Sequence, residues 1–341
     1  MKANRLFAVL CTFAAAASAL AFAACGDGNN GNNGNGGGTS LYTVAMPDGA
    51  PALAAAQLMA EDMQFGKEVT YTVVNANAIG RQVSGGKADV CILPVNAAAQ
   101  LAGDGKTYKL LGTVTHGNLY MLSSEHTEEI TAENIDTLVG KTVGCIQLDN
   151  FVGGVLKMIL EENGLDYEVV EESSAAQEGV VNLIAVADPA TISPSLGYDY
   201  YVCAEPLVTA KTSGGALSVV GDIQALYGEE GFPQAVMVAK NSVIASDPQF
   251  ISDICAAVTA NSAWLETADT DGIVAAINKN YGGATSSLNA NNLNATVISR
   301  CAIEFVPAAQ CRQEVVDFLA GYSEVSGLQL AVSDDFFYNA K

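Results

Sequence analysis

From Leu41 onward, short runs rich in β-branched and aromatic residues alternate with stretches of helical pattern, and this alternation constrains the fold more than any other feature. Tyr42 to Ala45, Val69 to Val74 and Ala88 to Leu93 read as strands. Asp48-Gly49-Ala50-Pro51 turns into a helix through Met63, with Pro51 placed where its missing N–H costs nothing. After a long run from Tyr108 to Leu122, a second unit begins. Thr142 to Ile146 reads as a strand, a helix opens at Asn150 or Phe151 and stops at Asn163-Gly164, and Tyr167 to Val170 and Asp199 to Ala204 are further strands. Past Phe232 the chain makes one strand, Ala235 to Val238, and then helices over Asp247 to Leu265, Gly272 to Asn280 and Gln313 to Tyr322. The spacing predicts parallel α/β layers with a helical tail that returns to cover the first unit.

The first forty residues are of another kind. Lys2 and Arg5 precede an apolar, Ala-rich stretch from Leu6 to Ala24, and the small residues Ala23 and Ala24 stand before Cys25. This pattern is that of a secretory signal, and its end resembles a bacterial lipobox, with Phe22 where Leu is usual. A plain secretory peptide and an uncleaved anchor helix are the competing readings. Gly26 to Ser40 holds little besides Gly and Asn, so ordering it costs backbone entropy that no buried apolar group offsets. The expected division is therefore a lipoprotein signal peptide over 1–24, with lipid on Cys25, and a flexible linker over 25–40. All three readings place the remaining chain outside the cytoplasm.

About 300 residues then remain, enough for one large or two ordinary domains. The formal charge is −22, and losing the two cations Lys2 and Arg5 with the signal takes it to −24. Such a surface repels nucleic acid and excludes it as a partner. Cys91, Cys145, Cys203, Cys255, Cys301 and Cys311 are dispersed, mostly inside apolar runs, and His116 and His126 are isolated. No CxxC pair occurs, so neither a metal site nor a thiol redox motif is expected, and no cofactor is implied. Only Cys301 and Cys311 are close enough in sequence to suggest a local disulfide.

Four strings occur in a telling order: Gly140-Lys141-Thr142-Val143-Gly144, Glu205-Pro206 after an apolar strand, Phe232-Pro233-Gln234-Ala235-Val236, and Ile303-Glu304-Phe305-Val306-Pro307-Ala308. Together they resemble the solute-binding proteins of ABC importers, in the cluster that serves nitrate, alkylsulfonates, taurine and thiamine pyrimidine precursors. The resemblance covers nearly all of the chain from Leu41. It implies an α/β, two-lobed type II periplasmic-binding-protein fold with two crossover hinge segments and a helical C-terminal tail on lobe 1. Residues 41–119 with 231–341 would form lobe 1, and 120–230 lobe 2. The implied partners are a small-molecule ligand, the permease and ATPase subunits of an importer, and the membrane through the lipid at Cys25; the chain itself would be a monomer.

In open α/β sheets, ligands bind beyond the carboxyl ends of strands, where helix N-termini present unpaired N–H groups. That rule selects Asp48, Gly49, Ala50, Asn75, Asn77, Pro94 and Asn96 in the first unit, and Gln147, Asp149, Asn150 and Phe151 in the second. The resemblance adds Glu205 and Gln234, and His116 and Asn118 lie near its first crossover. Each has a structural alternative. Asp48, Asn77 and Asn150 are the residues that form turns and N-caps, Phe151 suits a core, and Glu205 and His116 suit partners within a hinge.

The set is rich in amides and carboxylates and contains no Lys or Arg, Arg81 being the nearest. A nitrate or sulfonate pocket would normally add a cation. The expected ligand is therefore a neutral or cationic nitrogen compound, pyrimidine-like for example, with Tyr120, Phe151, Tyr200 and Phe232 as aromatic candidates. Two alternatives stand beside transport: a surface lipoprotein that senses a ligand, and an enzyme on the same fold resembling the pyrimidine synthases of the thiamine pathway. The export signal and dispersed cysteines favour a binder without catalysis.

Overall fold

A computed structural model describes residues 41–171, 175–282 and 285–339, so the expected signal, Cys25 and the Gly/Asn linker lie outside the described residues. Four strands come first: β1 (Leu41–Pro47), β2 (Glu68–Val74), β3 (Val90–Pro94) and β4 (Tyr108–Thr115). Six follow: β5 (Leu119–Ser123), β6 (Thr142–Ile146), β7 (Tyr167–Val169), β8 (Val181–Val186), β9 (Tyr200–Ala204) and β10 (Ser218–Asp222). The chain then returns for β11 (Ala235–Lys240) and β12 (Ile303–Pro307).

These strands make two six-stranded sheets, ordered β12-β4-β11-β3-β1-β2 and β10-β5-β9-β6-β8-β7. β2, β1 and β3 run parallel, while β11 is antiparallel to both β3 and β4. In the second sheet β7, β8, β6 and β9 are parallel, and β5 runs against β9. Ala235, the first residue of β11, pairs with Pro94 and Thr115, the last of β3 and β4. Leu119, the first of β5, pairs with Ala204, the last of β9. In each lobe, therefore, the strand carboxyl ends gather at the edge where the chain crosses over, at 116–118 and again at 228–234.

Period-two alternation sorts side chains onto the two faces of the first sheet. Val44, Met46, Val90, Ile92, Met237 and Ala239 join one core with Leu53, Leu58, Phe250 and Ile254. Ala45, Cys91, Leu93, Val236 and Val238 join the other, which continues into the second lobe. The tail helix Ala308–Ser326 closes that second face: it packs on β4, β12 and helix Val95–Ala102, and also on helix Phe151–Glu162 of the other lobe.

The helix expected through Met63 is broken into Ala50–Leu53 and Ala56–Ala60. The cause is Asn261, fully buried on helix Pro248–Leu265. Its Nδ2 donates to the Leu53 carbonyl at 2.9 Å and its Oδ1 accepts from the Gln57 N–H at 2.9 Å. Those two groups would be i→i+4 partners in an unbroken helix, so the amide inserts into the ladder and bends it.

The run from Tyr108 to Leu122 is two strands with the first crossover between them, and β8, β10 and β12 are strands that the pattern did not single out. Cys301 and Cys311 are buried free thiols, without the suggested disulfide. Among the described residues no helix is long and apolar enough to cross a membrane.

Candidate functional site

The floor between the lobes is a network joining both crossovers. Gln234 takes its place by donating its N–H to the Thr115 carbonyl at 3.0 Å, which extends the β4–β11 pairing. Its side-chain Nε2 donates to Asn118 Oδ1 at 2.6 Å. Asn118 Nδ2 in turn donates to the Glu205 carbonyl at 3.3 Å, and the Glu205 N–H returns a bond to the Asn118 carbonyl at 3.0 Å. The second crossover lies against the first closely enough that Gly231, at φ +75°, has the His116 carbonyl 2.1 Å from where a Cβ would be. Only glycine fits there.

Glu205 is 3 % exposed, so its charge needs partners. Oε2 accepts from the Thr209 N–H at 3.0 Å, and Oε1 from the Thr209 hydroxyl at 2.9 Å and from Arg300 at 3.2 Å. Arg300 ends helix Ala295–Arg300 of the first lobe. Its guanidinium also lies over the Tyr120 ring, 5.1 Å from the centroid, while the Tyr120 hydroxyl donates to the Arg300 carbonyl at 3.3 Å. Burial pushes the Tyr120 phenol up, so the hydroxyl keeps the proton it donates. Beside this contact, a cavity of about 740 Å³ separates Tyr120, Asp222 and Gln224 of the second lobe from Ser299 and Arg300 of the first.

A second interlobe contact is aromatic. Phe151 opens helix Phe151–Glu162, and its ring lies 5.7 Å from Phe318, 5.9 Å from Tyr322 and 6.0 Å from Phe232. The Tyr322 hydroxyl accepts from Asn96 Nδ2 at 3.4 Å, so Asn96 and Phe151 meet on the same ring. Phe151 is thus seated in an interlobe core and is only 7 % exposed. Next to it Gln147, Asp149 and Asn150 are exposed, and their side chains have no hydrogen-bond partner among the described residues. Gln147 is held at φ +49°.

The remaining expected residues serve the first lobe itself. Asp48 clasps the 285–293 segment, Oδ1 accepting from the Ser286 hydroxyl at 2.5 Å and Oδ2 from the Ser287 N–H at 2.7 Å. Asn75 accepts from the Asn77 N–H at 3.0 Å and caps the turn Ala76–Ala78. Gly49, at φ +95°, precedes the short helix that Ala50 begins. His116 Nε2 is 3.3 Å from the Thr113 hydroxyl, and the ring lines a different cavity, on the first lobe. The structure therefore joins Asn118, Glu205 and Gln234 in one cluster and Asn96 with Phe151 in another. The side-chain hydrogen bonds of Asp48 and Asn75 lie within the first lobe.

Sequence reasoning missed Arg300. It is the cation the strand-end rule did not find, because it stands on a helix that precedes a late edge strand rather than beyond a parallel one.

Two six-stranded α/β lobes, joined by two crossovers and holding a polar floor between strand carboxyl ends, have close structural counterparts. The structure superposes with a TM-score of 0.68 on an ABC transporter protein from Parabacteroides distasonis, at 16 % identity, over 88 % of this chain and 99 % of that one. The chain has the fold of a type II periplasmic binding protein. The binding-protein fold is shared with the periplasmic aliphatic sulphonate binding protein SsuA from Escherichia coli, with a TM-score of 0.61 at 14 % identity over 88 % of this chain and 92 % of that one. It is shared too with the ligand-binding component of an ABC-type import system from Staphylococcus aureus with zinc bound, with a TM-score of 0.54 at 10 % identity over 88 % and 97 % of the two chains. No protein-family model matches the chain, and no curated protein matches it in sequence. A shared fold does not fix a ligand, which the side chains must decide.

Proposed function

We propose that the protein is the extracytoplasmic solute-binding lipoprotein of an ABC importer, exported by its N-terminal signal and anchored through lipid on Cys25. The reading is supported by the binding-protein fold together with an apolar leader that ends on Cys25 and runs into the Gly/Asn linker. Its ligand is a small molecule held between the lobes. Asn96, Gln147, Asn150 and Phe151 line one side, and Asn118, Glu205 and Gln234 the floor. Closure on the ligand presents both lobes to the permease, and the ATPase drives uptake. No chemical step is asked of the chain.

The observation that carries the ligand class is the pairing of Arg300. The interlobe cation is already paired with buried Glu205 at 3.2 Å, while Glu129 and Asp222 line the cavity beside it, whose described lining holds no other Lys or Arg. An anion would meet net negative charge there, so a neutral or cationic nitrogen compound is favoured. A thermal-shift panel of pyrimidines, amines, nitrate and alkylsulfonates tests this. Stabilisation by a pyrimidine or amine is expected, and stabilisation by sulfonate or nitrate alone would refute it. For the anchor, replacing Cys25 by Ala is expected to abolish incorporation of labelled palmitate and to release the protein from the membrane fraction.

A further inference from the structure

The two interlobe contacts flank the crossovers from opposite faces of the first sheet. Phe318 and Tyr322 belong to the core that runs on into the second lobe with Phe151 and Phe232. Val297 and Cys301, which seat Arg300, belong to the core on the other face. A rotation about the crossovers that parts one side drives the other together, so the lobes swing on whichever contact resists separation.

The aromatic side resists. Phe151, Phe232, Phe318 and Tyr322 are all buried, and parting them would expose four large rings to water. Phe232 stands in the second crossover with its ring 6.1 Å from Phe318, so the seam is continuous with the crossover itself. The helices meet there through glycine: a Cβ on Gly321 would lie 2.9 Å from Met158 Cε.

The Arg300 side does not resist in the same way. Its side chain is 28 % exposed and borders the cavity of about 740 Å³. What crosses between the lobes is the bond to Glu205 at 3.2 Å, the contact with the Tyr120 ring and the Tyr120 hydroxyl bond at 3.3 Å. Thr209 lies on the second lobe with Glu205, so the carboxylate keeps both Thr209 bonds when the lobes part. Water then takes the place of Arg300, and the charge is not stranded. With the lobes together Glu205 is buried and needs the cation.

We propose that Arg300 is an ionic latch on the side where the interlobe cleft opens, and that the seam between helix Phe151–Glu162 and the tail helix is the fixed pivot. The proposal rests on the interlobe space being the ligand site and adds which side admits the ligand: it enters past Tyr120 and Arg300, while the seam forms the back wall. Its test needs no ligand, so a failed ligand panel and a failed latch are separate results.

Pulsed dipolar spectroscopy on the full-length protein supplies the test, with spin labels on introduced keto side chains so that the native cysteines stay in place. One label pair, at exposed Glu129 and Thr296, spans the latch; the other, at exposed Glu161 and Glu324, spans the seam. In Arg300→Met the 129–296 distance is expected to lengthen by more than about 2 Å, the scale of a domain rearrangement, with the 161–324 distance unchanged. Tyr120→Leu removes the ring contact and the hydroxyl bond and strands no charge. It is expected to lengthen the same pair, and it decides the question if Arg300→Met does not fold. A 129–296 distance that stays at the parental value in either folded variant, or a 161–324 distance that lengthens as much, would overturn the proposal.

Discussion

Arg300 of the first lobe and Glu205 of the second meet at 3.2 Å, the carboxylate side chain fully buried and the guanidinium still partly exposed. The pair joins residues 95 positions apart and closes the floor between the lobes. Removing the cation alone leaves a buried charge that Thr209 satisfies only in part. Arg300→Met is expected to cost about 2 kcal/mol, the scale of a hydrogen bond to a charged group. Glu205→Gln, made alone and with Arg300→Met, completes a double-mutant cycle in urea unfolding. Losses that simply add would show that the contact contributes nothing of its own.

Helix Phe151–Glu162 and the tail helix approach closely because Gly154 has no side chain: a Cβ there would lie 2.3 Å from the Tyr322 ring. Gly154→Val is expected to force the helices apart and destabilise the protein by about 1–3 kcal/mol, the range for overpacking. The midpoint of chemical denaturation and the near-ultraviolet signal of Tyr322 and its neighbours measure it. A variant as stable as the parent would mean the lobes do not pack through this face.

Asn261 predicts a different outcome from an ordinary core position. Asn261→Leu keeps the branched shape but leaves the Leu53 carbonyl and Gln57 N–H facing apolar surroundings. A loss of about 2–4 kcal/mol is expected, two unmet buried groups at the usual cost. A crystal structure of the variant with an unbroken helix through Gln57 would show instead that the ladder had closed without the amide.

Asp199 gives the protein an acid-side sensitivity. Burial pushes its carboxyl up, but bonds from the Thr142 N–H and hydroxyl and from His126, with the charge of Lys141, outweigh burial and hold it below the usual carboxylate range. A depressed folded-state value contributes stability that is present above the unfolded value of about 3.9 and is lost as pH falls through the folded one. Asp199→Asn is therefore expected to flatten the fall in stability below about pH 4. Melting temperatures of the two proteins across that window would run parallel if Asp199 were not responsible.

The six described cysteines should resist labelling. Burial pushes the thiols of Cys203 and Cys255 up to about 12 and raises the other four as well, so little thiolate exists at neutral pH. Peptide-mapped alkylation is expected to be slow at all six in native protein and rapid in denaturant. A Cys301–Cys311 bridge found without reductant would contradict the free thiols of the structure.

Much of this architecture was legible from the chain. Thr142 to Ile146 is the strand its pattern indicates, and the helix after it starts at Phe151 and stops before Asn163-Gly164, Gly164 at φ +68°. Such elements are fixed by periodicity and local backbone preference, which a short window of residues contains. β12 was harder, since it is a bulged edge strand whose partner β4 lies far away in sequence.

The sequence by itself determined the alternation of strand and helix and the strand ends where polar residues gather. The tertiary structure alone decided what those residues do. It tied Asp48 to the distant Ser286 and Ser287, seated Phe151 among Phe232, Phe318 and Tyr322, and brought Arg300 to Glu205. The reason is physical. A turn or cap is settled by neighbours in the chain, whereas the partner of a buried charge or ring is settled only when distant elements pack, and no local pattern records which of them will arrive.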